Sequence, residues 1–173
     1  MSEQTDAAAV PAAVRRVTDA AAAAGLAIHV RRHATTARTA ADAARAIGCD
    51  VAQIVKSLVF VADGAPVVAL VSGANRLDTG LLAAALGAGQ VRRADADEAR
   101  AATGYAIGGV PPFGHATDLR VLVDRDLTAF EIVHAAAGLP DATFEVATAD
   151  LVRVSGGAIV DLAEGPEPER AGP

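Results

Sequence analysis

The chain has 173 residues, a net charge of −6 and one cysteine. Its length suits a single domain with a sizeable core. The acidic charge argues against broad, non-specific nucleic-acid binding, and a lone cysteine excludes an intrachain disulfide. Because we find neither an apolar run long enough to cross a membrane nor a secretory signal, we expect a cytoplasmic protein.

The predicted organisation has three parts. Residues 1–9 are predicted to be a flexible start, 10–163 the folded domain, and 164–173 a disordered tail rich in proline, glycine and charge. No repeat or linker divides the folded part, so we expect one domain.

Helices are predicted where apolar residues recur at helical spacing between a capping residue and a glycine. Their ranges are 10–24, 39–47, 78–86, 95–103 and 150–154. Strand patterns cover 26–32, 55–62, 66–72, 91–93, 119–124, 144–147 and 158–162. Segment 130–137 fits helix or strand, and the turn at 62–65 predicts a hairpin. This mixture predicts a mixed α/β (α+β) domain with a mixed sheet.

Lys56 is the only lysine, beside fourteen arginines, and it lies in the apolar strand pattern 53–61. Lysine is a compact point charge whose pKa shifts readily on burial, whereas arginine is a planar fork that stays charged. A cation in an apolar strand is costly unless it is paired, reaches water or works in a pocket. By itself, the pattern favours an ordinary surface lysine on a half-buried strand.

A loop rich in glycine and proline covers residues 104–115. Its glycines let a ligand approach bare backbone, and its N–H groups can face an anion or a polarised carbonyl. The loop matches neither the Walker pattern nor the dinucleotide fingerprint, and an ordinary irregular connection is the alternative interpretation. Among the histidines, His115 is the best functional candidate because it lies in this loop. No metal site is predicted, because no histidine pair has a metal-binding motif.

The order of these motifs adds information that neither motif carries alone. The relevant segments are 47–48, 53–59, 67–71, 75–78, 104–105, 108–114, 124, 138 and 149–151. In this order they resemble the YbaK family of aminoacyl-tRNA deacylases, also called the prolyl-tRNA synthetase editing-like domain. The resemblance covers about residues 28–162. It implies a compact α/β domain with a curved mixed sheet flanked by helices, which hydrolyses a mischarged aminoacyl-tRNA without a cofactor.

The resemblance also implies the site. The pocket lysine falls on Lys56 and the catalytic loop glycines on Gly108 and Gly109. Residues expected to bind the substrate are Arg31, His33, Ser72, Asn75, Pro111, Pro112, His115 and Asp124. The implied partners are the acceptor end of a mischarged aminoacyl-tRNA and, transiently, prolyl-tRNA synthetase, but neither a membrane nor DNA.

Two departures from the family pattern bear on specificity. Arg31 replaces a frequent tyrosine and Ala136 replaces a serine that some members use, which weakens a cysteinyl-tRNA assignment. The Pro-Pro-Phe-Gly-His ending resembles branches that remove other small residues, and we expect tRNA-Pro as the acceptor. A non-catalytic adaptor that binds tRNA or a synthetase, and a small-molecule binding module, remain the alternatives.

Overall fold

The structure is a computed structural model that describes residues 9–164; most of the predicted flexible start and disordered tail lies outside that range. Five α-helices are described: α1 Ala12–Ala23, α2 Ala40–Ile47, α3 Thr79–Leu86, α4 Ala96–Thr103 and α5 Thr148–Ser155. Eight strands are described: β1 Val30–Arg32, β2 Val55–Ala62, β3 Ala65–Ser72, β4 Val91–Arg93, β5 Arg120–Asp124, β6 Ile132–Ala136, β7 Ala142–Ala147 and β8 Ala158–Val160. None of the described helices is long and apolar enough to cross a membrane.

Side-chain caps determine where the predicted helices begin. The Thr39 side chain accepts a hydrogen bond from the Asp42 N–H at the start of α2, and Asp95 and Glu98 form a reciprocal capping box at the start of α4. Both helices end at a glycine in the left-handed conformation. By contrast, α5 begins two residues before its predicted start. Its N-cap, Ala147, makes no side-chain hydrogen bond, so the sequence carries no local signal there.

The strands form two sheets. One has the order β4-β2-β3-β5-β8, with antiparallel pairs around β2 and parallel pairs on either side of β5. The other is antiparallel, with the order β1-β7-β6. A single parallel bridge between Ile54 and His134 joins them. The mixed α/β prediction is confirmed, and the ambiguous segment 130–137 contains strand β6.

Strand β2 changes its surroundings along its length, and this change positions the site. Its last four residues are buried, whereas Lys56, Ser57 and Leu58 are only half-buried. Strand β4 pairs with β2 from Phe60 onward, and β6 reaches only Ile54. Between these contacts, no described strand pairs with this edge of β2. The gap leaves the lysine segment open to a cavity.

Gly73 makes the close packing next to this segment possible. Its N–H donates to the Ile54 carbonyl oxygen at 2.7 Å, and an added Cβ would lie 2.4 Å from the Val51 carbonyl oxygen. We therefore expect Gly73→Ala to lower the free energy of unfolding by about 1–3 kcal/mol, measured by urea denaturation. Gly89→Ala is the control, because its Cβ would meet the Asp63 carboxylate at an ordinary 3.6 Å. Equal losses in the two variants would contradict this account.

Candidate active site

A cavity of about 290 Å³ opens at the gap beside β2. Its walls come from β2, β6, β7, α2 and the glycine loop, and half of the apolar wall residues are alanines. Its polar lining residues are His33, Thr35, Arg38, Thr39, Lys56, Ser57, Arg93, His134 and Thr143. Pockets for small molecules measure roughly 300–1,000 Å³, so this cavity is at the small end of that range. It suits a small group at the end of a larger ligand.

The cavity is positively charged in a chain that is acidic as a whole. Lys56, Arg38 and Arg93 line it, and its described lining contains no aspartate or glutamate. Elsewhere in residues 9–164, six arginines pair with carboxylates, and neither of the two cavity arginines is among them. The Arg93 guanidinium lies over the Phe60 ring, 5.5 Å from its centroid. Clustered cations without carboxylate partners favour an anionic ligand.

Lys56 is half-buried in the cavity wall and does not lie on an exposed polar face. Its ammonium group donates to the backbone carbonyl of Asn75. Burial lowers the pKa of Lys56, nearby Arg93 lowers it further, and Asp124 partly opposes the shift. A lysine ammonium has three N–H donors, so donors remain for a ligand.

Three of the predicted substrate-binding residues lie behind this lysine and not in the cavity lining. Asp124 is 1% exposed. Its Oδ2 accepts hydrogen bonds from the Ser72 N–H at 3.1 Å and from Asn75 Nδ2 at 2.8 Å. The Ser72 hydroxyl donates to the Ala52 carbonyl oxygen at 2.7 Å. Their polar groups are engaged within the protein, and their assignment as substrate-binding residues stays a prediction.

The two loop glycines differ in position. Gly108 lines the cavity with a left-handed backbone, φ +91°. Gly109 is buried, and its N–H donates to the Ala106 carbonyl oxygen at 3.0 Å, which closes a turn. A Cβ on Gly109 would lie 2.8 Å from the Gly138 carbonyl oxygen. The Gly109 N–H is thus already engaged in this turn, and the predicted catalytic role of Gly109 stays a prediction.

The remaining predicted loop residues also lie outside the cavity lining. Pro111 and Pro112 are buried. His115 Nε2 lies 2.7 Å from the Pro111 carbonyl oxygen, so that nitrogen must donate in this contact. Burial lowers the pKa of His115, and the Pro111 carbonyl partly opposes the shift. None of these three residues lines the cavity, and their assignment as substrate-binding residues stays a prediction.

Of the two predicted residues near β1, one lines the cavity. His33 does, with Nε2 2.7 Å from the Thr143 hydroxyl oxygen. Arg31 is exposed on β1 and is not part of the lining. Its charge nevertheless reaches the cavity. Burial lowers the pKa of His134, Glu145 opposes that shift, and Arg31 reinforces it.

Sequence reasoning missed several polar lining residues, among them His134 and Ser57. His134 enters the cavity wall through a long-range bridge to Ile54, the residue before β2, so no local pattern reveals it. The Ser57 hydroxyl is buried and has no hydrogen-bond partner among residues 9–164. In the sequence, its position next to Lys56 was the one indication that Ser57 belongs to the site. A buried hydroxyl without a partner costs free energy that a bound ligand can recover.

The two neighbouring serines should respond differently to truncation. Ser57→Ala removes a hydroxyl without a partner, so we expect the free energy of unfolding to change by less than about 0.5 kcal/mol or to rise. Ser72→Ala breaks the bond to Ala52, so we expect a loss of about 1 kcal/mol. Urea denaturation of both variants checks this. A larger loss for Ser57→Ala than for Ser72→Ala would contradict the assignment.

Residues 34–154 match the family model of the aminoacyl-tRNA editing domain. The chain belongs to this editing-domain family. The predicted YbaK resemblance is thereby confirmed. Across the described residues, no group of three or more histidine, cysteine or acidic side chains is arranged to hold a metal ion.

Three relatives place this editing domain among known proteins. It is 33% identical to the uncharacterized protein YwhH of Bacillus subtilis over 122 residues, 70% of this chain and 77% of YwhH. It is 33% identical to proline–tRNA ligase of Streptococcus pyogenes over 132 residues, but these are only 21% of the ligase. A solved structure of a proposed trans-editing enzyme for prolyl-tRNA synthetase is 42% identical, with a TM-score of 0.86 over 91% of this chain and 100% of the other.

Proposed function

We propose that this protein is a trans-editing hydrolase that removes a small, wrongly attached amino acid from tRNA-Pro. Water adds to the ester carbonyl carbon, the bond from that carbon to the ribose oxygen breaks, and the products are the free amino acid and tRNA with its ribose hydroxyl restored. Family membership supports the editing reaction. The likeness to a proposed trans-editing enzyme for prolyl-tRNA synthetase supports the choice of tRNA.

The observation that carries this proposal is the half-buried ammonium of Lys56 in a small cationic cavity with apolar walls. The end of an aminoacyl-tRNA combines a phosphate, an ester carbonyl and a small side chain. Lys56, with Arg38 and Arg93, suits the phosphate or the developing charge on the carbonyl oxygen. The alanine-rich wall suits the small side chain. Its selectivity would be limited, because one methylene is worth only about 1–3 kcal/mol.

The reaction needs little further help from the protein. An aminoacyl ester is activated, so a positioned water or ribose 2′-hydroxyl can suffice as the nucleophile. His134 lines the cavity, and because its pKa is lowered by burial it is neutral near pH 7. A neutral imidazole there can accept the proton that the nucleophile loses.

The decisive assay offers alanyl-, seryl-, threonyl- and cysteinyl-tRNA-Pro to the wild type and to two Lys56 variants. We expect Lys56→Ala to lower kcat/KM by about 100-fold or more, because charge stabilisation at the carbonyl is lost. Lys56→Arg keeps the charge but needs more room and a different geometry, so it should also be impaired. Arg100→Ala, at an exposed arginine on α4 outside the cavity lining, is the matched control and should retain activity.

Each contrary outcome has a distinct meaning. Full deacylation by Lys56→Ala would contradict the role of the lysine. Inactivity of the wild type on the whole panel, combined with binding of uncharged tRNA, would favour the adaptor. Inactivity without any tRNA binding would favour a small-molecule binding module.

A further inference from the structure

Ser72, Asn75 and Asp124 form a hydrogen-bonded polar cluster next to Lys56 that lies outside the cavity lining. Resting on the proposed function, we infer that Asn75 and Asp124 are positioning residues for the lysine. They fix the carbonyl group that holds the ammonium, and they place a carboxylate one layer behind it. Neither residue lines the cavity, so neither contacts the substrate directly.

Asn75 is held from two sides, which fixes the direction of its carbonyl group. Its backbone N–H donates to the Ser72 carbonyl oxygen at 2.9 Å. Its side-chain Nδ2 donates to Asp124 Oδ2 at 2.8 Å and to Asp126 Oδ2 at 2.7 Å. Both amide hydrogens are therefore used, and the backbone carbonyl of the same residue accepts from Lys56. A shift of the Asn75 side chain would move the acceptor of the ammonium.

Asp124 anchors this arrangement to the sheet. It ends β5, which pairs on one side with β3 and on the other with β8. Its Oδ1 accepts from the Asp126 N–H at 3.1 Å, which adds a third donor to those of Ser72 and Asn75. Three donors satisfy a carboxylate that is almost fully buried. Through Asp124, the inner strand β5 thus positions the side chain of Asn75, which lies after the end of β3.

The charges around Lys56 oppose one another. Arg38 precedes α2, Arg93 lies on β4, His33 follows β1 and His134 lies on β6, and all four line the same cavity. The carboxylates of Asp124 and Asp126 contact the side chain of Asn75, whose backbone carbonyl holds the ammonium. Burial and Arg93 lower the pKa of Lys56, whereas Asp124 raises it. The Asp124 carboxylate therefore helps to keep a half-buried lysine charged.

The single lysine allows a direct test. Protein labelled with [ε-13C]lysine and carrying no lysine in its tag gives one lysine NMR signal, which is that of Lys56. The chemical shift of that signal is followed against pH. Its titration midpoint should lie at lower pH in Asp124→Asn, because a charge that raises the Lys56 pKa is removed. Asp19→Asn is the control, at an exposed residue of α1, and should leave the titration unchanged.

Activity gives the second measurement. Asp124→Asn should shift the alkaline limb of the kcat/KM profile to lower pH, because the reaction needs the charged lysine. Asn75→Ala keeps the backbone carbonyl but removes the side-chain hydrogen bonds that fix its direction. It should lower kcat/KM by about tenfold and change the lysine signal. The NMR measurement needs no turnover. It therefore tests the positioning role even if the protein does not deacylate tRNA, and failure of the proposed function can be told apart from failure of this inference.

Three results would overturn the inference. The first is a folded Asp124→Asn protein whose Lys56 signal titrates as in the wild type. If Asp124→Asn fails to fold, Asn75→Ala decides, and an unchanged lysine signal with unchanged kcat/KM refutes the positioning role. A variant that loses stability while its lysine signal and alkaline limb stay in place indicates a purely structural role, and it refutes the inference as well.

Discussion

The candidate site depends on one interaction, the bond from the Lys56 ammonium to the backbone carbonyl of Asn75. Removing a cation from water is costly unless hydrogen bonds and opposite charge compensate for the lost hydration. Here a neutral carbonyl contacts the ammonium, and the carboxylate of Asp124 lies one layer behind it. Because no carboxylate within residues 9–164 pairs directly with Lys56, its remaining donors can face a ligand. A direct salt bridge would have stabilised the lysine but occupied it.

The fold supplies the space for this interaction. Strand β4 pairs with the end of β2, and β6 bridges to Ile54 just before β2, so the lysine segment faces a gap in the strand pairing between the two sheets. Close backbone packing shapes the gap, with Gly109 against Gly138 on one side and Gly73 against Val51 on the other. Alanines give the cavity wall small, apolar side chains. The cavity is consequently small and positive within an acidic protein, and these properties together suit the end of an aminoacyl-tRNA.

Local signals in the sequence predicted much of this molecule. The caps at Thr39 and Asp95, the hairpin at 62–65 and the strand that carries Lys56 all depend on neighbours within a few residues. The division into two sheets, the entry of His134 into the cavity and the free hydroxyl of Ser57 depend on contacts between distant segments. Asn75 and Asp124 were predicted as substrate-binding residues, and their place outside the cavity lining likewise depends on contacts between distant segments. The parallel pairing of β3 with β5 brings Asp124 next to Ser72 and Asn75.

Contact between Lys56 and the aminoacylated end of tRNA is the central claim. It is tested most directly by titrating lysine-labelled protein with alanyl-adenosine in which an amide replaces the hydrolysable ester. We predict a saturable shift of the single lysine signal, larger than the shift caused by adenosine alone. Saturable binding that leaves the lysine signal unchanged would contradict the claim, because the ligand would then occupy the protein without touching the ammonium.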